Sequence, residues 1–497
     1  MAAALLLPLA FLALEARQVG WGQLSALLFR QLTLNLLWNM VALAVVVTLL
    51  CAVLGTASAF LVQRTDFPLR RLLAALLVLP LAIPDFVTAF GWVSVAPAVS
   101  GFAGAVLVMT VGLYPLVYLP VAASLRGADP AQEEAARTLG LSPMQTFRRV
   151  TLRQARPTIL AGCLLVVLAL LAEYGAFEIL GFQTFTTEIF TEFQVGFDAP
   201  AAAALSLVVV LLGLLALLGE GVISRSGRLG RTVTRGTRRH SRLRLGRWRW
   251  PATAACLGLV ALGLAVPLAV IAFWLVRGGQ STLPQTASVA VAAGYSVGYS
   301  AAAAAIATCL AVPVALLAVR HPSLPTRVLE RSTYVIQGLP GVVVALALVF
   351  FCLRYLSWLY QTSLLLVCAY ALLFFPLAFV PVRASVLRAP AALEEVGRSL
   401  GRGAWSVRLR VALPLLAPGL AAGFCLVFLS AVTELTATLI LVPTGVETLA
   451  TQFWAYTGNV SYGAAAPYAA AIVVISLVPA LALGRWFDRQ RGPGVAR

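Results

Sequence analysis

Apolar stretches of about 20 residues recur from one end of this sequence to the other, each long enough to cross a ~30 Å hydrocarbon core as a helix. No other feature limits the fold so severely, because a backbone inside lipid must satisfy its own N–H and C=O groups. Spans are expected near 37–63, 72–98, 101–125, 158–182, 198–223, 251–276, 288–319, 328–352, 363–387, 419–442 and 465–484, with a further one at 2–14. The expected fold is all-α: a polytopic membrane helical bundle of about 12 transmembrane helices with both termini cytoplasmic. The segment at 2–14 is the weakest of these, since an apolar run of that length rises only ~20 Å. It has no basic n-region or small-residue cleavage site of a signal peptide, and a start site placed too far downstream would account for its length.

Charge fixes the orientation. Only 11% of residues are charged and 61% are hydrophobic, whereas soluble domains carry about 25% charged residues. The net charge of +18 comes from 36 basic residues, every one of them Arg. On the spans above, all but Arg17, Arg30, Arg277 and Arg354 fall on one side, which the positive-inside bias makes cytoplasmic. Nucleic acid is not an expected partner, because no basic face is paired with base-stacking aromatics. Without Lys the chain cannot hold a G-x-x-x-x-G-K-[ST] phosphate loop. It is therefore not expected to be an enzyme or to bind a cofactor; ATP that drives it is hydrolysed by a separate subunit. Cys51, Cys163, Cys256, Cys309, Cys352, Cys368 and Cys425 are scattered singly through apolar segments and read as small buried hydrophobes. His240 and His321 are too isolated for a stable metal site.

Residues 224–250 interrupt the apolar pattern with ten Arg between Arg225 and Arg249. They read as a cytoplasmic tether, with contact to anionic lipid headgroups as the alternative. The segments they separate repeat one another at a constant offset of 261 residues over roughly 80 positions. Pro115, Pro120, Ser124, Glu133, Glu134, Leu139 and Gly140 fall on Pro376, Pro381, Ser385, Glu394, Glu395, Leu400 and Gly401. Further along, Leu152, Pro157, Gly162, Glu173 and Thr187 fall on Leu413, Pro418, Gly423, Glu434 and Thr448. The expected organisation is a first transmembrane repeat over 1–223, the linker over 224–250 and a second repeat over 251–497. An even number of spans in each half inserts both the same way, related by an axis along the membrane normal.

The strongest part of the repeat is polar and lies between spans, at 127–157 and 388–418, on the cytoplasmic side. Asp129 can cap a short helix, Pro130 suits its first position, and Gln132 stands three residues after the cap. Ala135, Ala136 and Leu139 give it a small apolar face, and Gly140 can end it in a left-handed turn. Such a helix gains most of its stability by packing on something else. In the second loop Pro390 comes one position early and no good cap precedes it, so the two helices should differ in detail.

Here the sequence resembles a family. Glu134-Ala135-Ala136, Gly140 and Val150-Thr151-Leu152 fit the cytoplasmic EAA loop of bacterial ABC-importer permeases. Glu395-Val396-Gly397, Gly401 and Val411-Ala412-Leu413-Pro414 form a second copy. Arg153 in place of the closing Pro, and Val396-Gly397 in place of Ala-Ala, are the departures. The resemblance extends to IPDFVTAFGW at 83–92, GLPGVVVALAL at 338–348 and ELTATLILVPTGVETLATQFW at 434–454, and the tandem plan is similar to that of ferric-iron transporter permeases. It implies a type I importer permease in a bacterial inner membrane, working with two copies of a cytoplasmic P-loop ATPase subunit and an extracytoplasmic substrate-binding protein. Ferric iron is the expected substrate; thiamine, polyamine and phosphonate are alternatives. A secondary transporter with parallel six-span repeats is the rival plan, although its loops within each half are short. No H-E-x-x-H or G-x-S-x-G supports an intramembrane enzyme.

Two sets of residues are thus singled out. Glu134, Ala135, Ala136 and Gly140, with Glu395, Val396, Gly397 and Gly401, are expected to couple an ATPase to the pore. Glu173 and Glu434 each stand 16 residues beyond the Pro that closes its loop, ~24 Å along a helix and hence in the outer half of the bilayer. A carboxylate there should face the bundle interior, either as a transient ligand of the passing ion or as a hydrogen-bonded part of a closed gate. Asp85, beside Pro84, is a single-copy candidate for the same pathway.

Overall fold

The computed structural model describes residues 2–19, 21–128, 130–225, 243–278, 284–321, 323–389 and 391–489. Regular structure among them is helical, apart from an isolated bridge between Thr65 and Leu243. Among the described residues, eight helices are long and apolar enough to cross a membrane: Gln31–Arg64, Gly101–Gly127, Met144–Ala172, Ala199–Gly219, Gly246–Arg277, Thr286–Arg320, Leu409–Val432 and Tyr462–Leu481. Two bent pairs, Arg70–Ala82 with Asp85–Val95 and Ser363–Leu373 with Phe375–Arg388, bring the number to ten. The other two expected crossings correspond to Ala2–Val19, longer than the apolar run alone, and to the pair Leu324–Ile336 and Gly341–Tyr355.

Two of the expected spans are broken at a proline. At 72–98 the chain turns by 93° between Ala82 and Asp85. Pro84 has no N–H to continue the ladder and forces Ile83 into an extended conformation. Its own carbonyl then accepts the N–H groups of Val87 and Thr88 to start the next helix. Pro340 does the same in the second half, where its carbonyl accepts from Val343 and Val344. The expected spans 158–182 and 419–442 stop early, at Ala172 and Val432, and short helices Gly175–Ile179 and Thr436–Leu441 follow.

Contacts divide the chain into two compact units: Met1–Leu24 with Glu192–Leu207 and Trp274–Arg497, and Ser25–Thr191 with Val208–Phe273. Each unit thus takes its opening helix from the other half of the sequence. In the first, Ala2–Val19 packs on Leu324–Ile336 and Gly341–Tyr355, with Phe11 edge-on to Phe351 at 5.9 Å between ring centroids. In the second, Arg249–Val260 packs on Arg70–Leu76, and Gly91 lies so close to Pro267 that a Cβ would come within 3.0 Å of its Cα. The repeats are visible inside each unit as one packing motif. A Cβ on Gly162 would sit 2.8 Å from Val117 Cα, and one on Gly423 would sit 3.2 Å from Ala378 Cα. Small residues let helix backbones approach where lipid offers no hydrophobic drive for association.

Candidate functional site

The first polar loop folds as a helix, a turn and a second helix. Its first helix begins at Pro130, as the sequence suggests; Asp129, the expected cap, lies outside the described residues. It ends at Thr138 in a hydrogen-bonded turn: Gly140 takes φ +85°, the Gly140 N–H donates to the Arg137 carbonyl, and the Leu141 N–H donates to that of Ala136. That pairing satisfies two terminal carbonyls and needs a residue without a Cβ penalty. Ser142 and Gln145 then cap each other to start Pro143–Thr146. A π-helical turn, Phe147–Thr151, feeds into Leu152–Ala172, and Phe147 packs on Phe60 of the long span at 4.3 Å between ring centroids.

The second loop has the same plan. Ala391–Ser399 is the short helix, Gly401 takes φ +77°, and a π turn at Arg408–Ala412 occupies the duplicate of 147–151. Pro390 lies outside the described residues, and of the side chains at Glu394 and Gly397 nothing is described. Both loops present apolar side chains to solvent: Leu139 is 84% exposed and its repeat mate Leu400 is 76% exposed. Met144, Leu393 and Val396 are exposed beside them. Glu134, Ala135 and Glu395 are exposed as well, whereas Ala136 turns inward.

Glu133 escaped the sequence reading as a site residue. Its Oε1 pairs with Arg64 Nη2 at 3.1 Å and accepts from Thr151 Oγ1 at 2.9 Å. Arg64 is the last residue of the long span and its side chain is only 4% exposed. The sequence carried a signal, the duplicated Glu-Glu pair at 133–134 and 394–395. Periodicity alone could not say which of two neighbouring carboxylates turns inward.

The duplicated carboxylates Glu173 and Glu434 occupy matching places. Glu173 follows the end of Leu152–Ala172, and its Oε1 accepts the Ala176 N–H at 2.7 Å. Glu434 follows Leu413–Val432 by one residue, and its Oε1 accepts the Ala437 N–H at 3.0 Å. Each therefore caps the short helix that restarts two residues on, and each has its carbonyl held by a threonine hydroxyl, Thr186 or Thr438. Asp85 opens the helix Asp85–Val95, and its Oδ1 occupies the space a Cβ on Gly112 would need. Glu434 likewise fills the space of a Cβ on Gly341, which opens the helix after Pro340. Among the described residues no group of three or more His, Cys, Asp or Glu is arranged to hold a metal.

The sequence that builds these duplicated loops has matches among known proteins. The family described as binding-protein-dependent transport system inner membrane component matches residues 52–228 and again 307–492. The chain belongs to that family. The rival secondary-transporter plan is thereby set aside. The Fe(3+)-transport system permease protein FbpB 2 of Haemophilus influenzae is 36% identical over 484 residues, covering 97% of this chain and 96% of that protein. The sulfate transport system permease protein CysT of Salmonella typhimurium is 32% identical over 247 residues, 45% of this chain and 88% of that protein. The molybdenum transport system permease protein ModB of Escherichia coli is 29% identical over 218 residues, 38% of this chain and 95% of that protein. The permease is thus a multi-pass membrane protein with the family module present twice in one polypeptide.

Proposed function

We propose that this permease carries ferric iron into the cytoplasm of a bacterium. The observation that carries the reading is the end-to-end match to a relative named for Fe(3+) transport, against matches to less than half of the chain for those named for sulfate or molybdenum. Two copies of a cytoplasmic P-loop ATPase subunit dock on the helices Pro130–Thr138 and Ala391–Ser399. Exposed Leu139 and Leu400 would be covered there, and Glu134, Gly140, Glu395 and Gly401 transmit closure of the ATPase to the spans. An extracytoplasmic binding protein delivers the ion to the opposite face, and both termini lie in the cytoplasm with the Arg-rich linker. The chain supplies no ATPase site and no cofactor of its own; its work is alternating access. Asp85, Glu173 and Glu434 offer oxygen ligands along the route, and the two glutamates already accept helix N–H groups, which leaves them as weak, transient contacts for the ion.

The test is reconstitution in proteoliposomes with the ATPase and the cognate binding protein. Ferric-loaded binding protein should stimulate ATP hydrolysis and place labelled iron in the lumen. Stimulation by a thiamine-, sulfate- or molybdate-loaded protein, with none by the ferric form, overturns the assignment.

A further inference from the structure

Glu133 and Glu134 are adjacent on a nine-residue helix, Pro130–Thr138, and successive helical residues point about 100° apart. Glu134 is exposed on the side open to a partner; Glu133 is turned to the body of the protein. Its one oxygen joins two other segments: Arg64, which ends the span Gln31–Arg64, and Thr151, which ends the π turn leading into Leu152–Ala172. Those two spans also pack on each other. The node reaches further, because the Arg64 carbonyl accepts the Leu243 N–H at 2.9 Å and Asp66 Oδ1 accepts the Leu245 N–H at 3.0 Å. The chain leaving the linker is therefore pinned at the same place.

A nearly buried ion pair is a poor source of net stability, because desolvation offsets most of the attraction. Separating its partners is costly, however, because each would be left buried and uncompensated. The left-handed turn at Gly140 and the π turn after it make the loop a jointed lever. Without a rigid connection, motion of the short helix would dissipate at those joints.

We propose that Glu133 is the positioning residue through which the first docking helix moves the spans 31–64 and 152–172, acting through the Arg64 guanidinium and the Thr151 hydroxyl. The inference rests on the proposed docking of an ATPase at this loop and goes beyond it, since it assigns the internal half of the linkage to a residue that does not face the partner. The device is specific to the first repeat in one respect: the duplicate of Thr151 is Ala412, which has no hydroxyl to give.

The experiment compares wild type, E133Q and E133D in the reconstituted transporter and reads iron imported per ATP hydrolysed. E133Q keeps shape and loses charge, so the ratio should fall about ten-fold, the scale at which residues along a coupling route act. E133D keeps the charge that pairs with Arg64 and should retain at least about half the wild-type ratio. A merely structural role would lower the amount of assembled complex and leave the ratio alone; that result overturns the proposal. Amide hydrogen exchange on the purified chain, with no partner present, gives a second reading. Exchange across 130–138 should rise several-fold in E133Q while 101–127 stays protected, and unchanged exchange across 130–138 overturns the proposal. Absence of iron-stimulated hydrolysis in wild type would count against the iron reading alone, since the exchange result stands independently of it.

Discussion

The two polar loops are copies of one sequence pattern, yet only part of the pattern produces the same contacts. Left-handed glycines at 140 and 401, π turns at 147–151 and 408–412, and exposed leucines at 139 and 400 are reproduced in register. These are backbone features, set by local steric rules that any copy of the sequence obeys. The polar anchors differ. The first loop is tied down by Glu133 through Arg64 and Thr151, whereas among the described residues of the second half an ion pair joins Arg383 of Phe375–Arg388 to Glu330 of Leu324–Ile336, 3.0 Å apart. Ala122 stands at the duplicate of Arg383. Fusion of two halves into one chain lets each side chain diverge while the scaffold stays duplicated, so one loop can specialise without altering the other.

The largest test of this comparison separates the halves. Because Met1–Leu24 and Glu192–Leu207 pack within the unit built from Trp274–Arg497, residues 1–234 expressed alone should give no transport, and neither should 235–497. Coexpression should restore transport to within about ten-fold of the intact chain, the cost of losing a covalent tether. Uptake by either half alone would break the comparison at its root.

Substituting the shared backbone feature comes next. An L-residue in the left-handed region costs ~1–2 kcal/mol, and more when β-branched. G140V and G401V should each impair transport, and the double variant should lower it by at least about ten-fold with normal insertion and iron-independent ATP hydrolysis. Unequal single effects would show which loop carries more of the coupling.

A smaller effect is expected at the duplicated caps. E173Q and E434Q keep an oxygen acceptor for the Ala176 and Ala437 N–H groups and remove the charge. Loss of one cap of this kind costs ~1 kcal/mol, and Gln should cost less, so the fold survives. If the carboxylates line the route, the double variant loses iron uptake at limiting iron while retaining ATP hydrolysis; undiminished uptake leaves them as caps only.

Much of this was legible before any coordinates. The left-handed turn at Gly140 was expected, because few residues other than Gly end a helix that way; the same turn at Gly401 is added by the structure. The carboxylates at 173 and 434 stood out because charge is costly in lipid. Their capping was not legible: nothing in the periodicity of 158–182 indicates that the helix ends at Ala172 and restarts at Gly175. The 93° bend at Ile83–Pro84 was missed for a related reason, since a proline in a membrane span can kink a helix or end it, depending on which groups re-satisfy the backbone.

By itself the sequence determined the solvent, the helical class and the duplication, which follow from local composition and from a backbone that must bond to itself in lipid. Which helix packs in which compact unit was decided only by the tertiary structure. An apolar helix is equally compatible with many apolar neighbours, and the choice lies in close shape matches such as Gly162 on Val117 and Gly91 on Pro267. The same holds for Glu133: adjacent carboxylates are equivalent in a sequence, and only the position of Arg64 at the end of a distant span makes one of them an anchor.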